Sequence, residues 1–169
     1  DSQLYVLRVV EGALERCATV DLSELGVVVP KVVRASGEGR SLRVDVWGAA
    51  SGQGATLRFA TASCPLGEPE SRVRASLLGA SAASSDGEGG FVLTSPLLDA
   101  IAFEPGAGPS RLVELPSERA PARARSASSR LGELLVFSTA MAPWQKSEGE
   151  LSRFSCEACH LEGGTDGRV

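Results

Sequence analysis

The chain has 169 residues, 43% of them hydrophobic, with a formal net charge of -4 and a pI near 5.1. That is enough apolar material for a packed core, and the scattered Lys and Arg argue against a nucleic-acid partner, whose phosphates require clustered cations. No run of about 18 apolar residues is present to cross a bilayer, and Asp1-Ser2-Gln3 lacks the basic and apolar regions of a secretory signal, so the chain is expected to start after processing or within a longer protein.

In chain order, residues 4–10, 16–22, 27–35, 42–48, 56–61, 72–78, 91–94 and 100–104 are β-branched or alternating, with Gly, Ser, Asp or Pro breaks between many of them. These predict a mainly β region over residues 1–116. Within it Arg43-Val44-Asp45-Val46-Trp47 and Thr56-Leu57-Arg58-Phe59-Ala60 alternate polar and apolar, as half-buried antiparallel strands do, and the Gly-rich stretch from Gly48 is their predicted turn.

Two parts of this region look like copies of one pattern. Gln3-Leu4-Tyr5-Val6-Leu7 leads to Ala18-Thr19-Val20-Asp21-Leu22, and Phe91-Val92-Leu93-Thr94-Ser95 leads to Asp99-Ala100-Ile101-Ala102-Phe103-Glu104. Each is an aromatic-bearing strand followed by a strand with an acid at or near its end. The pattern resembles the blade repeat of bacterial surface β-propellers named for a Tyr-Val-Thr-Asn motif, and a β-sandwich would space its strands in a similar way. A propeller takes about 4 to 8 blades of roughly 40 to 50 residues each. The propeller resemblance therefore implies that further blades lie upstream of Asp1.

Residues 117–130 change abruptly in composition, with Arg119, Arg123, Arg125 and Arg130 among Ala, Ser and Pro and no large apolar residue. They read as a solvated linker, an anionic docking site being the lesser reading. Ser129 is then placed to cap a short helix through Leu131, Leu134, Leu135 and Phe137, which share one face at helical spacing.

The most specific chemistry lies at Cys156-Glu157-Ala158-Cys159-His160. In a c-type site two Cys thiols add across the haem vinyl groups, and the His that follows directly ligates the iron. His160 is the single histidine of the chain, so any chemistry that needs imidazole must run through it. The alternatives are a redox disulfide, which expects a βαβ context absent here, and a zinc site, which needs a fourth ligand. Cys17 and Cys64 lie across the linker without finger-like spacing; they either pair with one another or stay as buried thiols.

Leu131-Gly132-Glu133-Leu134-Leu135-Val136-Phe137, a polar loop, and then Ser155-Cys156-Glu157-Ala158-Cys159-His160 resemble the opening of the di-haem cytochrome c peroxidase and methylamine-utilisation (MauG-like) family. The resemblance implies a covalent haem c with Cys156 and Cys159 as thioether anchors and His160 as proximal iron ligand. It also implies an upstream propeller fusion, a redox partner protein or small electron donor, peroxidase-like oxidoreductase activity, and a periplasmic or cell-surface location. On this reading residues 131–169 are the start of a cytochrome c domain that is truncated or completed by another polypeptide, since nine residues after His160 cannot enclose a haem. Departures from the family pattern are Phe137-Ser138-Thr139-Ala140-Met141, where the family carries Phe-Asp-x-Arg-Leu-Ser, and the missing second haem site.

Met141 and Trp144 are read as packing and loop anchoring rather than as an axial ligand and an electron relay. Glu162 and Asp166, in a Gly-rich turn, are candidates for calcium in the complete protein, with a solvated turn as the default. The competing function is a non-enzymatic β-propeller or β-sandwich binding module whose Cys-x-x-Cys-His motif is unused or holds zinc.

Overall fold

The computed structural model describes residues 2–86, 90–106, 109–115, 125–139 and 155–156, the side chain at position 38 excepted. The described chain is mainly β, as its alternation predicts. Its strands are β1 (Gln3–Val10), β2 (Ala13–Asp21), β3 (Pro30–Glu38), β4 (Ser41–Gly48), β5 (Gln53–Phe59), β6 (Glu70–Ala75), β7 (Ala82–Ser85), β8 (Phe91–Ser95), β9 (Ala100–Glu104) and β10 (Arg111–Glu114), followed by helix α1 (Ala127–Phe137).

The strands form three antiparallel sheets: the hairpin β1-β2, the sheet β3-β4-β5-β6, and the sheet β10-β9-β8-β7. Each strand pairs only with its neighbours in sequence, so both larger sheets are simple meanders. The two segments that share a sequence pattern both form antiparallel pairs but differ in setting: β1-β2 is a separate, bulged hairpin with Tyr5 exposed opposite Thr19, and β8-β9 are the inner strands of a four-stranded sheet with Phe91 buried opposite Glu104.

The first meander is covered on both faces. On one side Leu4, Val6, Ala18 and Val20 of the hairpin pack on Val44, Val46, Ala55, Leu57 and Phe59. On the other side Val32 and Trp47 meet Phe91, Leu93 and Ala102 of the second meander. The expectation that β4 is half-buried is therefore corrected: Val44, Asp45, Val46 and Trp47 are each 3% exposed or less, because the nominally polar face of the strand is roofed by the second meander.

Several boundaries shift for local reasons. Strand β3 starts at Pro30 rather than Val27, since Val29 takes a left-handed φ of 53° that a strand cannot continue through, while Val27 and Val28 fold into the core as part of the preceding turn. Gly48 lets that turn approach: a Cβ there would lie 2.8 Å from the Val28 backbone nitrogen. In the space this leaves, Ala49 N donates to Val29 O at 2.9 Å and Ala50 N to Val28 O at 3.3 Å. The helix is capped by Ser126 rather than Ser129; the Ser126 hydroxyl accepts from Ser129 N at 3.0 Å, so Ser129 is the residue three positions inside the cap.

One covalent link ties the first two layers together. Cys17 is the unpaired residue of a bulge in β2, between Arg16 opposite Leu7 and Ala18 opposite Val6. The bulge redirects its side chain, and it is bonded to Cys64 in the β5-β6 connection. Leu66 N donates to Cys17 O at 2.9 Å beside that bond.

Candidate functional site

Helix α1 precedes the Cys-x-x-Cys-His segment in the chain. This helix lies across the end of the stacked sheets where residues 22–29, 49–52, 77–80 and 96–99 turn back. Thr139 N, just past the helix, donates to Ala50 O at 2.9 Å, and Ser138 closes the helix by donating its hydroxyl to Leu134 O. Between α1 and the sheet ends lies an open cleft of about 320 Å³. Phe137, Leu97 and Pro96 make much of its wall, with Lys31, Arg125 and Glu133 at its polar parts.

Arg125 fixes the start of the helix. It donates to Asp99 Oδ2 at 2.5 Å and to Pro96 O at 3.1 Å, and it also pairs with Glu133 two turns along α1. Arg130 donates to the same Asp99 oxygen at 2.8 Å. The Arg125 hydrogen bond, opposed by partial desolvation, holds the Asp99 carboxyl below the usual carboxylate range, and the same bond holds the Arg125 guanidinium above its ordinary value. Asp99 sits at a left-handed φ of 49° in the β8-β9 turn, a conformation that Asp tolerates better than most residues. Two of the four arginines assigned to a solvated linker are therefore ion-paired to the β region.

Among the predicted site residues, Cys156 is half-buried and carries a free thiol. The preceding Ser155 is 2% exposed, and its hydroxyl has no hydrogen-bond partner. Cys159 and His160 lie outside the described residues, as do Met141, Trp144, Glu162 and Asp166. Cys17 and Cys64 are not thiols at all; their Cα atoms are 4.9 Å apart and their sulfurs are bonded. Among the described residues no three His, Cys, Asp or Glu side chains come together as a metal-binding group.

A polar cluster that sequence reasoning did not single out lies between the two meanders. Asp45 accepts two hydrogen bonds from Arg43 and one from Thr56, and Arg74 Nη2 stands 3.6 Å away. Glu104 accepts from Trp47 Nε1, Arg74 Nε and Ser76 Oγ. The Arg74 guanidinium also lies 5.2 Å from the Trp47 ring centre, and Trp47 meets Phe91 edge to face at 4.8 Å. Two buried carboxylates are thus held by two arginines: Asp45 is paired within the first meander by Arg43 and Arg74, and Arg74 alone reaches across the interface to Glu104. The alternation of charged residues along β4 and β6 was the available signal, but it does not show which sheet will cover them.

Compared with known proteins, the chain matches no family model, no curated protein and no solved structure.

Proposed function

We propose that this chain is a haem c-binding electron-transfer protein of the periplasm or cell surface, of the di-haem cytochrome c peroxidase type. Cys156 and Cys159 would anchor the porphyrin through thioethers, and His160 would ligate the iron. The observation that carries this reading is the order Cys156-Glu157-Ala158-Cys159-His160, in which two thiols and one imidazole stand at the spacing of the two vinyl groups and the metal.

The sulfur chemistry elsewhere supports it. A thioether needs a free, reachable thiol, and Cys156 has one. A tetrahedral zinc site at the same motif would need a fourth donor, and Cys17 and Cys64 are spent on each other. A disulfide of that kind also belongs in an oxidising compartment, in keeping with a location outside the cytoplasm.

Bound there, the haem would supply one-electron chemistry, exchanged with a redox protein or a small donor. Reduction of peroxide would further require an acid-base group beside the iron, so the reading stays at electron transfer.

For the β region the reading is a segment of a β-propeller. Two successive four-stranded meanders stacked face to face support it, since Greek-key sandwiches need strands that leave sequence order.

The test is the visible spectrum and mass of the chain matured with haem-attachment machinery. A Soret band that survives acid-acetone extraction, with one tetrapyrrole added to the peptide bearing Cys156, is expected. A colourless product containing zinc overturns the proposal.

A further inference from the structure

Between the two meanders, beside β6, lies an open cavity of about 180 Å³. Arg43, Arg72 and Arg74 of the first meander line it, together with Phe91 and Glu104 of the second and Ser110 just before β10. None of its walls belongs to the β1-β2 hairpin or to α1, so its shape is set within residues 43–110 and not by what adjoins either end of the chain. Arg43 and Arg74 both stand over the Phe91 ring, 5.5 and 5.7 Å from its centre. The ring and the buried carboxylates together hold these two guanidinium groups in place.

What the cavity can bind follows from which of its polar groups are already satisfied. Asp45 takes three hydrogen bonds, two from Arg43 and one from Thr56, and Glu104 takes three, from Trp47, Arg74 and Ser76. A carboxylate accepts about four, so both are close to saturated and a cation would find few acceptors here. The groups left over are donors. Arg74 commits Nε to Glu104 and Nη1 to Thr56, while its buried Nη2 makes no hydrogen bond and stands 3.6 Å from Asp45. Arg72 is exposed, and its side chain has no ion pair or hydrogen bond among the described residues. A buried N–H left unpaired costs about 1 to 3 kcal/mol, and the arginine fork matches the oxygens of a carboxylate or a phosphate.

We propose that this cavity is a binding site for one small oxyanion, a carboxylate or a phosphate. Arg72 supplies the unpaired positive charge, Arg74 gives the anion its uncommitted Nη2 donor, and Ser110 adds a hydroxyl at the rim. Because Arg43 and Arg74 are already fixed by their carboxylates, binding has only Arg72 left to order, which keeps its entropic cost low. The volume lies below the roughly 300 to 1,000 Å³ of sites for drug-sized molecules, and this limits the ligand to an ion or a small acid. This inference is independent of the haem reading.

The probes are sodium phosphate and sodium acetate, titrated separately into the full chain at an ionic strength held constant with chloride. The Trp47 indole N–H and the Arg74 Nε–H are followed by NMR; Trp47 reports on the site because it shares Glu104 with Arg74. Saturable shifts are expected with at least one of the two anions, and the tighter one identifies the class. Arg72→Gln, a change confined to an exposed side chain, should weaken that anion by about tenfold. Arg72→Lys should weaken it less, and Arg8→Gln, which removes an equal charge in the hairpin, should leave it unchanged. Shifts that stay linear up to about 50 mM of both anions, indifference to Arg72→Gln, or equal weakening by Arg72→Gln and Arg8→Gln would each overturn the proposal.

Discussion

Trp47 and Glu104, 57 residues apart, meet between the two meanders, where the indole N–H donates to the carboxylate over 3.3 Å. Glu104 is 5% exposed and also serves Arg74 and Ser76, so one side chain of β9 satisfies three donors from the facing sheet. Glu104→Ala leaves the partly buried Arg74 guanidinium without one of its two carboxylates and should cost about 2 to 3 kcal/mol. Glu104→Gln keeps one acceptor oxygen and should cost about half as much. Urea midpoints at neutral pH check both; equal, small losses would mean that the inter-sheet contact rests on Trp47 and Phe91 packing alone.

The Cys17–Cys64 bond closes a loop with a sequence separation of 47. In the chain-entropy account, removing it with the pair Cys17→Ala and Cys64→Ala lowers unfolding stability by about 4 kcal/mol. Thermal unfolding with and without reductant should reproduce the difference. An unchanged midpoint on reduction would show that the hairpin is held by its apolar face instead.

Docking of α1 should depend on pH through Asp99. Its folded-state carboxyl is held below the ordinary value of 3.8, so the Arg125 bond contributes fully above that value and is lost as pH falls through the lower, folded one. Asp99 and Arg125 are partly exposed, at 28% and 14%, so the contribution is on the order of 1 kcal/mol. Asp99→Asn should raise exchange rates across α1 at neutral pH and remove their acid dependence below pH 4. A helix equally protected in the variant would place its anchoring in Phe137 and the Thr139–Ala50 bond.

On the proposed haem c reading of the C-terminal motif, Cys156→Ala should leave one thioether at most, and Cys156→Ala with Cys159→Ala should leave none. Mass spectrometry of matured protein reads this as persistence and then loss of the covalent increment. His160→Ala should retain the increment and change the absorption spectrum, because the proposal assigns the anchors and the metal ligand to different residues. Unchanged spectra on His160→Ala would assign the axial ligand elsewhere.

Most of the β architecture was legible because its strands alternate with period two or are rich in β-branched residues. Two strands were missed. The first, β7, is Ala82–Ser85, four small residues with little β preference, and the second, β10, is Arg111–Glu114 on an edge. Both exist because β8 and β9 present unpaired edges, which is tertiary information. The pairing of Cys17 with Cys64 could not be read, since it depends on a bulge that turns one residue of β2 aside. Arg125 looked like solvated linker for the same reason: its partner Asp99 is 26 residues away on a turn, and nothing in the local composition marks it. The thiol-imidazole motif is read from residue order alone, because the haem attachment proposed for it depends on adjacent residues rather than on long-range packing.

The bond between Cys17 and Cys64 encircles β3, β4 and β5 within a covalent ring. A protease that cuts once between those two cysteines therefore releases nothing: the product keeps its mass plus one water and runs as one chain until a reductant is added. Fragment maps made without reduction would score the exposed β3-β4 turn at Gly39 as resistant even when it is nicked.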